Sequence, residues 1–282
     1  MSDGRLELPN GLAATIVLVR HGESTYVAEG RFQGRHDPGL SPLGERQAQL
    51  VAQRLASRHE GSPLPVPAGD AQGVWHSPLR RAADTARTIG AGLGQTVALH
   101  GDERLTELAQ GEWEGLLHSE VNQRWPLELA RWREDPLHFQ APGGEALGEA
   151  AGRVSDALEG ILRALAGNEP RRPGSDTAGD MAAVRGQPVP GYPETSSGAG
   201  ALEPWAIAVA HDGIFRLLLM RLLDVPLERF WSFPFSLCSI TVVTLRDGLA
   251  SLRAHNLADH LAPLAADEVA AQEARGDRRG AL

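Results

Sequence analysis

Lysine is missing from this chain of 282 residues: all 27 basic side chains are arginine. Its absence excludes Schiff-base chemistry on a lysine, pyridoxal enzymes and the lysine-bearing phosphate loop. Cysteine is nearly missing too. The single one, Cys238, rules out a disulfide framework and zinc sites built from several thiolates, and it fits a reducing, cytoplasmic setting. Positive charge is in deficit: 27 arginines stand against 36 Asp and Glu, a formal net charge of −9. That balance argues against a nucleic-acid partner, whose affinity would rest on neutralising phosphates. Long hydrophobic runs are lacking as well. Residues 13–19 are too few to span a bilayer, and residues 214–223 are interrupted by Arg216 and Arg221. No basic stretch precedes a cleavable apolar run near Met1, so neither a targeting segment nor a membrane partner is expected.

What is present is an alternation of short apolar runs and amphipathic stretches. Residues 15–19 are apolar and β-branched and read as a strand buried on both faces. Ser41-Pro42 then opens a helix whose apolar face is Ala48, Val51, Ala52 and Leu55. Residues 73–76 read as a second strand, and Ser77-Pro78 as the start of a helix with the same cap chemistry. Residues 96–99 are a weaker strand candidate. Helical stretches follow over 118–133 and 145–165, then a strand over 205–210 that runs into His211 and a helix to about 223. Residues 237–245 and 249–254 form a terminal strand pair turning at Asp247-Gly248.

This order predicts an α/β fold, a mostly parallel central sheet with helices on both faces. Ligands then bind beyond the carboxyl ends of the strands, where Arg20-His21-Gly22, Ser77 and His211 all fall. The length allows one large or two modest domains; the reading is a single domain with a core of about 15–165 and 205–261. Residues 167–204 are rich in Gly and Pro and poor in large apolar side chains, and read as a flexible insertion. Residues 265–282 read as a tail.

Four segments carry chemistry. A neutral histidine offers a lone pair, and an adjacent arginine offers forked, permanently charged donors to phosphate oxygens, so Arg20-His21 can form an anion site holding its own nucleophile. A backbone-bonded histidine beside a solvated arginine is the competing reading, and the tetrapeptide Arg20-His21-Gly22-Glu23 does not choose. Arg80-Arg81 at a helix start adds a second arginine, one of the pair facing inward and the other solvent. Glu107, Glu112 and Glu114 compete as a proton donor to a leaving oxygen, against plain surface charges. His211, in His211-Asp212-Gly213, is either a hydrogen-bond donor to a phosphoryl group or a structural histidine.

Together, Arg20-His21-Gly22-Glu23, Ser77-Pro78-Leu79-Arg80-Arg81-Ala82, Glu107 through Gly115 and the strand before His211 resemble, in order, the motifs of the histidine phosphatase (phosphoglycerate mutase-like) superfamily. The resemblance implies that His21 is the phosphorylated nucleophile, Arg20 a phosphate ligand and Glu107 the proton donor. It selects Arg81 over Arg80 and makes His211 the second histidine of the phosphate pocket. Ser24, Gln33 and Gly34 correspond to its substrate-side residues. It implies no cofactor and no metal. Two positions depart from the family pattern: Val27 stands where asparagine is common, and Asp212 intervenes between His211 and Gly213.

The expected activity is hydrolysis of a small phosphorylated metabolite through a phosphohistidine, the Gln33-Gly34 and Gly111-Glu112-Trp113-Glu114-Gly115 segments resembling the phosphatase branch. The alternatives are a 2,3-bisphosphoglycerate-dependent phosphoglycerate mutase, which uses the same residues, and a non-catalytic phosphate-binding scaffold. The sequence carries no signal for the particular ester or for oligomeric state.

Overall fold

Residues 14–20, ATIVLVR, have apolar side chains at every position between Thr15 and Arg20, and they form the central strand β1 (Ala14–Arg20). The computed structural model describes residues 11–94, 97–167 and 203–264. Most of the expected 167–204 insertion and the whole 265–282 tail lie outside the described residues.

After β1 the chain runs through a one-turn helix α1 (Thr25–Glu29), α2 (Pro42–Ala56), β2 (Val74–His76), α3 (Arg80–Gly92) and β3 (Leu99–Gly101). Then come α4 (His118–Arg124), α5 (Pro126–Glu134), α6 (Leu147–Gly167), β4 (Trp205–Ala210), α7 (Asp212–Leu222), β5 (Ile240–Arg246) and β6 (Leu249–Leu257). One sheet holds the strands in the order β3-β2-β4-β1-β5-β6. β3, β2, β4 and β1 pair in parallel, whereas β5 pairs antiparallel with β1 and with β6.

The two-residue period of a strand divides the core. Ile16 and Leu18 of β1, with Ala206, Ala208 and Ala210 of β4, pack against α6 and α7. Val17, Val19, Ile207 and Val209 face the other way, against α2 and α3. Both faces are thus covered, as uninterrupted apolar strands require. A third, smaller cluster of Trp113, Val121, Leu129 and Ala141 holds α4 and α5 beside the strand ends.

Several element boundaries differ from the sequence reading. The expected helix over 118–133 is two helices, because Pro126 forces Trp125 out of helical geometry, to φ −133° and ψ 54°. The weak strand over 96–99 is instead Leu99–Gly101. β5 begins at Ile240 rather than 237, since Cys238 adopts a left-handed φ of 51°. The helix expected to be capped by Ser77 starts only at Arg80, and its cap position, Leu79, makes no side-chain bond. By contrast Ser41 caps α2, its oxygen accepting the Gly44 N–H at 3.0 Å, and Pro42 occupies the first turn.

Candidate active site

Parallel pairing brings the ends of β1, β2, β3 and β4 to one edge of the sheet. Arg20 lies beside Ala210 and His76 beside Val209 in register. The ladder continues one residue past the strands: His21 N–H donates to the Ala210 carbonyl and Ser77 N–H to the Val209 carbonyl, each at 3.0 Å. His21, Ser77 and His211 are thereby placed side by side. β3 contributes as well, since its end leads through a short 3₁₀ turn (Glu103–Leu105) to Glu107.

The His21 loop is pressed against the start of α2. A Cβ added at Gly22 would meet the Gly44 carbonyl oxygen at 2.5 Å, so only glycine fits there. Gly22 N–H donates to Thr85 Oγ1 at 3.1 Å, which ties the loop to α3.

His21 is buried, and its Nδ1 is 2.7 Å from the Gly22 carbonyl, so Nδ1 carries the proton and Nε2 the lone pair. Burial, then the charges of Arg81 and Arg20, hold its pKa well below the usual 6.5, so the ring is neutral near pH 7. His211 is also fully buried, and its ring centroid is 5.0 Å from that of His21. Its Nε2 shares a 2.8 Å hydrogen bond with Ser77 Oγ, while Nδ1 has no partner among the described residues. Its pKa is likewise pushed well down, first by burial and then by Arg81, His21 and Arg20.

Arg81 is completely buried whereas Arg80 is exposed, which settles the inward-facing member of that pair. Arg81 donates to the carbonyls of His36 at 2.8 Å and Gly34 at 2.9 Å, and burial brings its pKa down to about 10. Arg20 donates to the Phe235 carbonyl at 2.5 Å. The Nε atoms of both arginines are buried without a partner among the described residues. Unpartnered buried donors are costly. The charges of both arginines act on His21, and the His211 ring packs against it.

Glu107 is half-buried, with its carboxylate accepting Leu108 N–H at 2.9 Å and Gly213 N–H at 3.4 Å. Desolvation raises its pKa, the Leu108 bond opposes this, Asp212 adds to the rise, and Arg81 and Arg20 oppose it. The two rival acids are placed elsewhere. Glu112 is exposed, and Glu114 accepts the Gln110 and Arg35 backbone N–H groups.

Arg20, His21, Gln33, Gly34 and Glu107 line one cleft of about 400 Å³. Arg81, His211 and Ser24 lie behind its lining. Ser24 is held there by two bonds. Its hydroxyl caps α1, accepting Val27 N–H at 3.1 Å, and donates to Gln33 Oε1 at 2.5 Å. That bond leaves the Gln33 amide nitrogen for the cleft. Asp212 accepts from Arg216 Nε at 2.9 Å and from Phe235 N–H at 3.3 Å; it lines the cleft, and its negative charge adds to the rise of the Glu107 pKa. The glycine that follows meets a steric need, because a Cβ at Gly213 would come within 2.7 Å of Glu107 Oε1.

The cleft lining is also rich in aromatic side chains, which sequence reasoning missed. Phe32 stacks on His118 with centroids 4.4 Å apart, and Trp132 meets Trp231 edge-on at 4.9 Å. Trp132 and Trp231 come from separate elements, α5 and the segment after α7, and no local pattern links them. Among the described residues, no group of three or more His, Cys, Asp or Glu side chains is disposed to hold a metal ion. No helix among them is long and apolar enough to cross a membrane.

Against known proteins, residues 16–169 and 195–258 match the family model of the histidine phosphatase superfamily, branch 1. The chain belongs to that superfamily. Phosphoserine phosphatase 1 of Hydrogenobacter thermophilus is 28% identical over 246 residues, covering 87% of this chain and 93% of that protein. Glucosyl-3-phosphoglycerate phosphatase of Mycobacterium tuberculosis is 31% identical over 218 residues, covering 77% and 79% respectively. Among solved structures, mycobacterial glucosyl-3-phosphoglycerate phosphatase with VO3 superposes with a TM-score of 0.64 at 26% identity, over 86% of this chain and 99% of that one. Membership in this histidine phosphatase family, with relatives that are phosphatases, makes the chain a phosphoric monoester hydrolase and sets the mutase alternative behind hydrolysis.

Proposed function

We propose that the chain hydrolyses the monoester of a small phosphorylated metabolite through a phosphohistidine on His21, without metal or cofactor. The observation that carries this reading is the neutral His21 ring, its Nδ1 anchored to Gly22, held under the charges of Arg20 and Arg81 and beside the His211 ring.

In the first step the Nε2 lone pair of His21 attacks phosphorus and the phosphorus–oxygen bond to the leaving alcohol breaks. Arg20, Arg81 and His211 stabilise the charge on the three equatorial oxygens. Ser77 donating to His211 Nε2 leaves Nδ1–H for one of those oxygens. Glu107 is the acid that gives its proton to the departing oxygen, help worth about 10²–10⁴ in rate. In the second step the Glu107 carboxylate takes a proton from water, the water oxygen bonds to phosphorus, and the nitrogen–phosphorus bond breaks to free phosphate. Gln33 and Gly34 face the ester side of the cleft, and Ser24 acts on substrate through Gln33. The alcohol portion lies against Phe32, Trp132 and Trp231.

A cytoplasmic setting belongs to the same reading, supported by the lone buried Cys238. So does a single catalytic domain with a core of about 15–165 and 205–261, supported by the one sheet that both stretches build. The test is His21→Ala. It should keep the wild-type circular dichroism and melting behaviour, release no phosphate from 4-nitrophenyl phosphate, and lose the alkali-stable, acid-labile phosphate that wild type traps on rapid quenching. Substantial residual turnover would refute the assignment. A primer-dependent interconversion of phosphoglycerates by the wild type would favour the mutase.

A further inference from the structure

The acid at position 107 sits on a stretch with little regular structure of its own. Beyond the turn Glu103–Leu105, the carbonyls of Thr106 and Glu107 receive no bond from a strand or helix ladder among the described residues. Both are instead held by one side chain from the middle of α6. Arg153 Nη1 donates to the Arg104 and Thr106 carbonyls at 2.7 Å each, and Nη2 donates to the Glu107 carbonyl at 3.3 Å. The guanidinium is itself fixed by a two-pronged pair with Glu145, Nε to Oε1 and Nη2 to Oε2, both at 2.7 Å.

Glu145 closes the bracket from the far side. Its Oε2 accepts Ala109 N–H at 3.4 Å, its own N–H donates to the Ala109 carbonyl at 3.0 Å, and Oε1 accepts from Arg35 Nη2 at 3.0 Å. Burial alone would raise the Glu145 carboxyl, but the hydrogen bonds and charge of Arg153, followed by Arg35, hold it below the usual carboxylate value and keep it ionised. An ion pair this enclosed, with side chains 17% and 10% exposed, adds little net stability, because desolvation offsets the attraction. What a planar fork supplies is direction.

We infer that Arg153 and Glu145 form a clamp that positions Glu107 for proton transfer, so that their contribution to turnover scales with how much the leaving group needs a proton. Neither side chain lines the cleft, and both bond the backbone around Glu107, through which they act, so both are positioning residues. The inference rests on Glu107 being the proton donor.

Two esters separate positioning from packing. 4-Nitrophenolate departs without a proton, whereas an alkoxide does not, so kcat/KM, which ends at phosphoryl transfer to His21, reports the acid only for the alkyl ester. Arg153→Gln and Glu145→Gln should each lose about tenfold in kcat/KM on an alkyl monophosphate and less than about threefold on 4-nitrophenyl phosphate. Arg153→Lys, which keeps the charge but only one directed bond, should lie between Arg153→Gln and wild type on the alkyl ester. Glu107→Gln provides the reference, with a loss of about 10²–10⁴ on the alkyl ester alone. Equal losses on both esters in the Arg153 and Glu145 variants, or no loss, overturn the clamp while leaving the role of Glu107 intact. Equal losses on both esters in Glu107→Gln overturn the proton-donor reading itself, whatever the clamp variants do.

Discussion

Replacing Gly44 by alanine should harm a helix that alanine ordinarily strengthens. Gly44 is the third residue of α2, where Gly→Ala normally adds about 0.5–1 kcal/mol. Here the new Cβ would lie 2.8 Å from both the carbonyl carbon and the amide nitrogen of Glu23, with the carbonyl oxygen nearer still. Relaxed carbon contacts need about 3.5–4.0 Å, so the Glu23 backbone or the start of α2 must shift by roughly 1 Å. Two bonds resist that shift. Ser41 N–H donates to the Glu23 carbonyl and Glu23 N–H donates to Gln47 Oε1, each at 2.8 Å. Overpacking of this kind costs about 1–3 kcal/mol, which leaves a net destabilisation of up to about 2.5 kcal/mol after the helix gain, in place of the usual stabilisation. His21 is two residues from the clash, and a displacement near 1 Å costs about 10²-fold in rate. Urea unfolding and kcat/KM on 4-nitrophenyl phosphate measure the two effects. Gly152→Ala is the control: Gly152 lies exposed in α6 with nothing within 4 Å of a new Cβ, and it should gain about 0.5–1 kcal/mol at unchanged activity. A Gly44→Ala protein as stable and as active as wild type would show that the His21 loop does not lean on α2 in the way described.

Two further outcomes concern pH. The acid limb of kcat/KM should fall below 6.5, because burial and two arginines keep His21 neutral there; the alkaline limb on an alkyl ester should reflect Glu107, raised by desolvation, and should vanish in Glu107→Gln. Stability should also decline in acid: His21 and His211 titrate lower folded than unfolded, so below about pH 6.5 the unfolded chain binds more protons and folding free energy falls as pH drops toward the folded values. Urea midpoints at about pH 7.5 and about pH 5.5 check this, and His211→Asn should flatten the difference; an unchanged slope would mean that His211 is not held neutral.

The sheet was legible because its strands are covered on both sides. WAIAVA at 205–210 has no polar residue, and its bounds match the structure to the residue. Strand ends were legible for the same reason, and with them His21 and His211. The failures lie where a side chain serves a partner far along the chain. Ser77-Pro78 has the local signature of a helix cap, yet its hydroxyl is drawn to His211, 134 residues away. Ser24 looks like a substrate-side hydroxyl but is taken by the cap of α1 and by Gln33. The Asp212–Arg216 pair, four residues apart on α7, is one that an i,i+4 reading finds. Arg153 and the Trp132–Trp231 contact had no such signal, since each depends on how separate elements dock.

The adjacency of β1 and β4 has a consequence for chain length. Arg20 and Trp205 belong to neighbouring strands, so pairing them already encloses nearly two-thirds of the polypeptide in one loop. Ring-closure entropy grows only with the logarithm of contour, and the 35 residues of 168–202 therefore add about 0.2 kcal/mol to the cost of bringing these strands together. Lengthening or shortening the stretch between α6 and β4 therefore carries almost no loop-closure penalty.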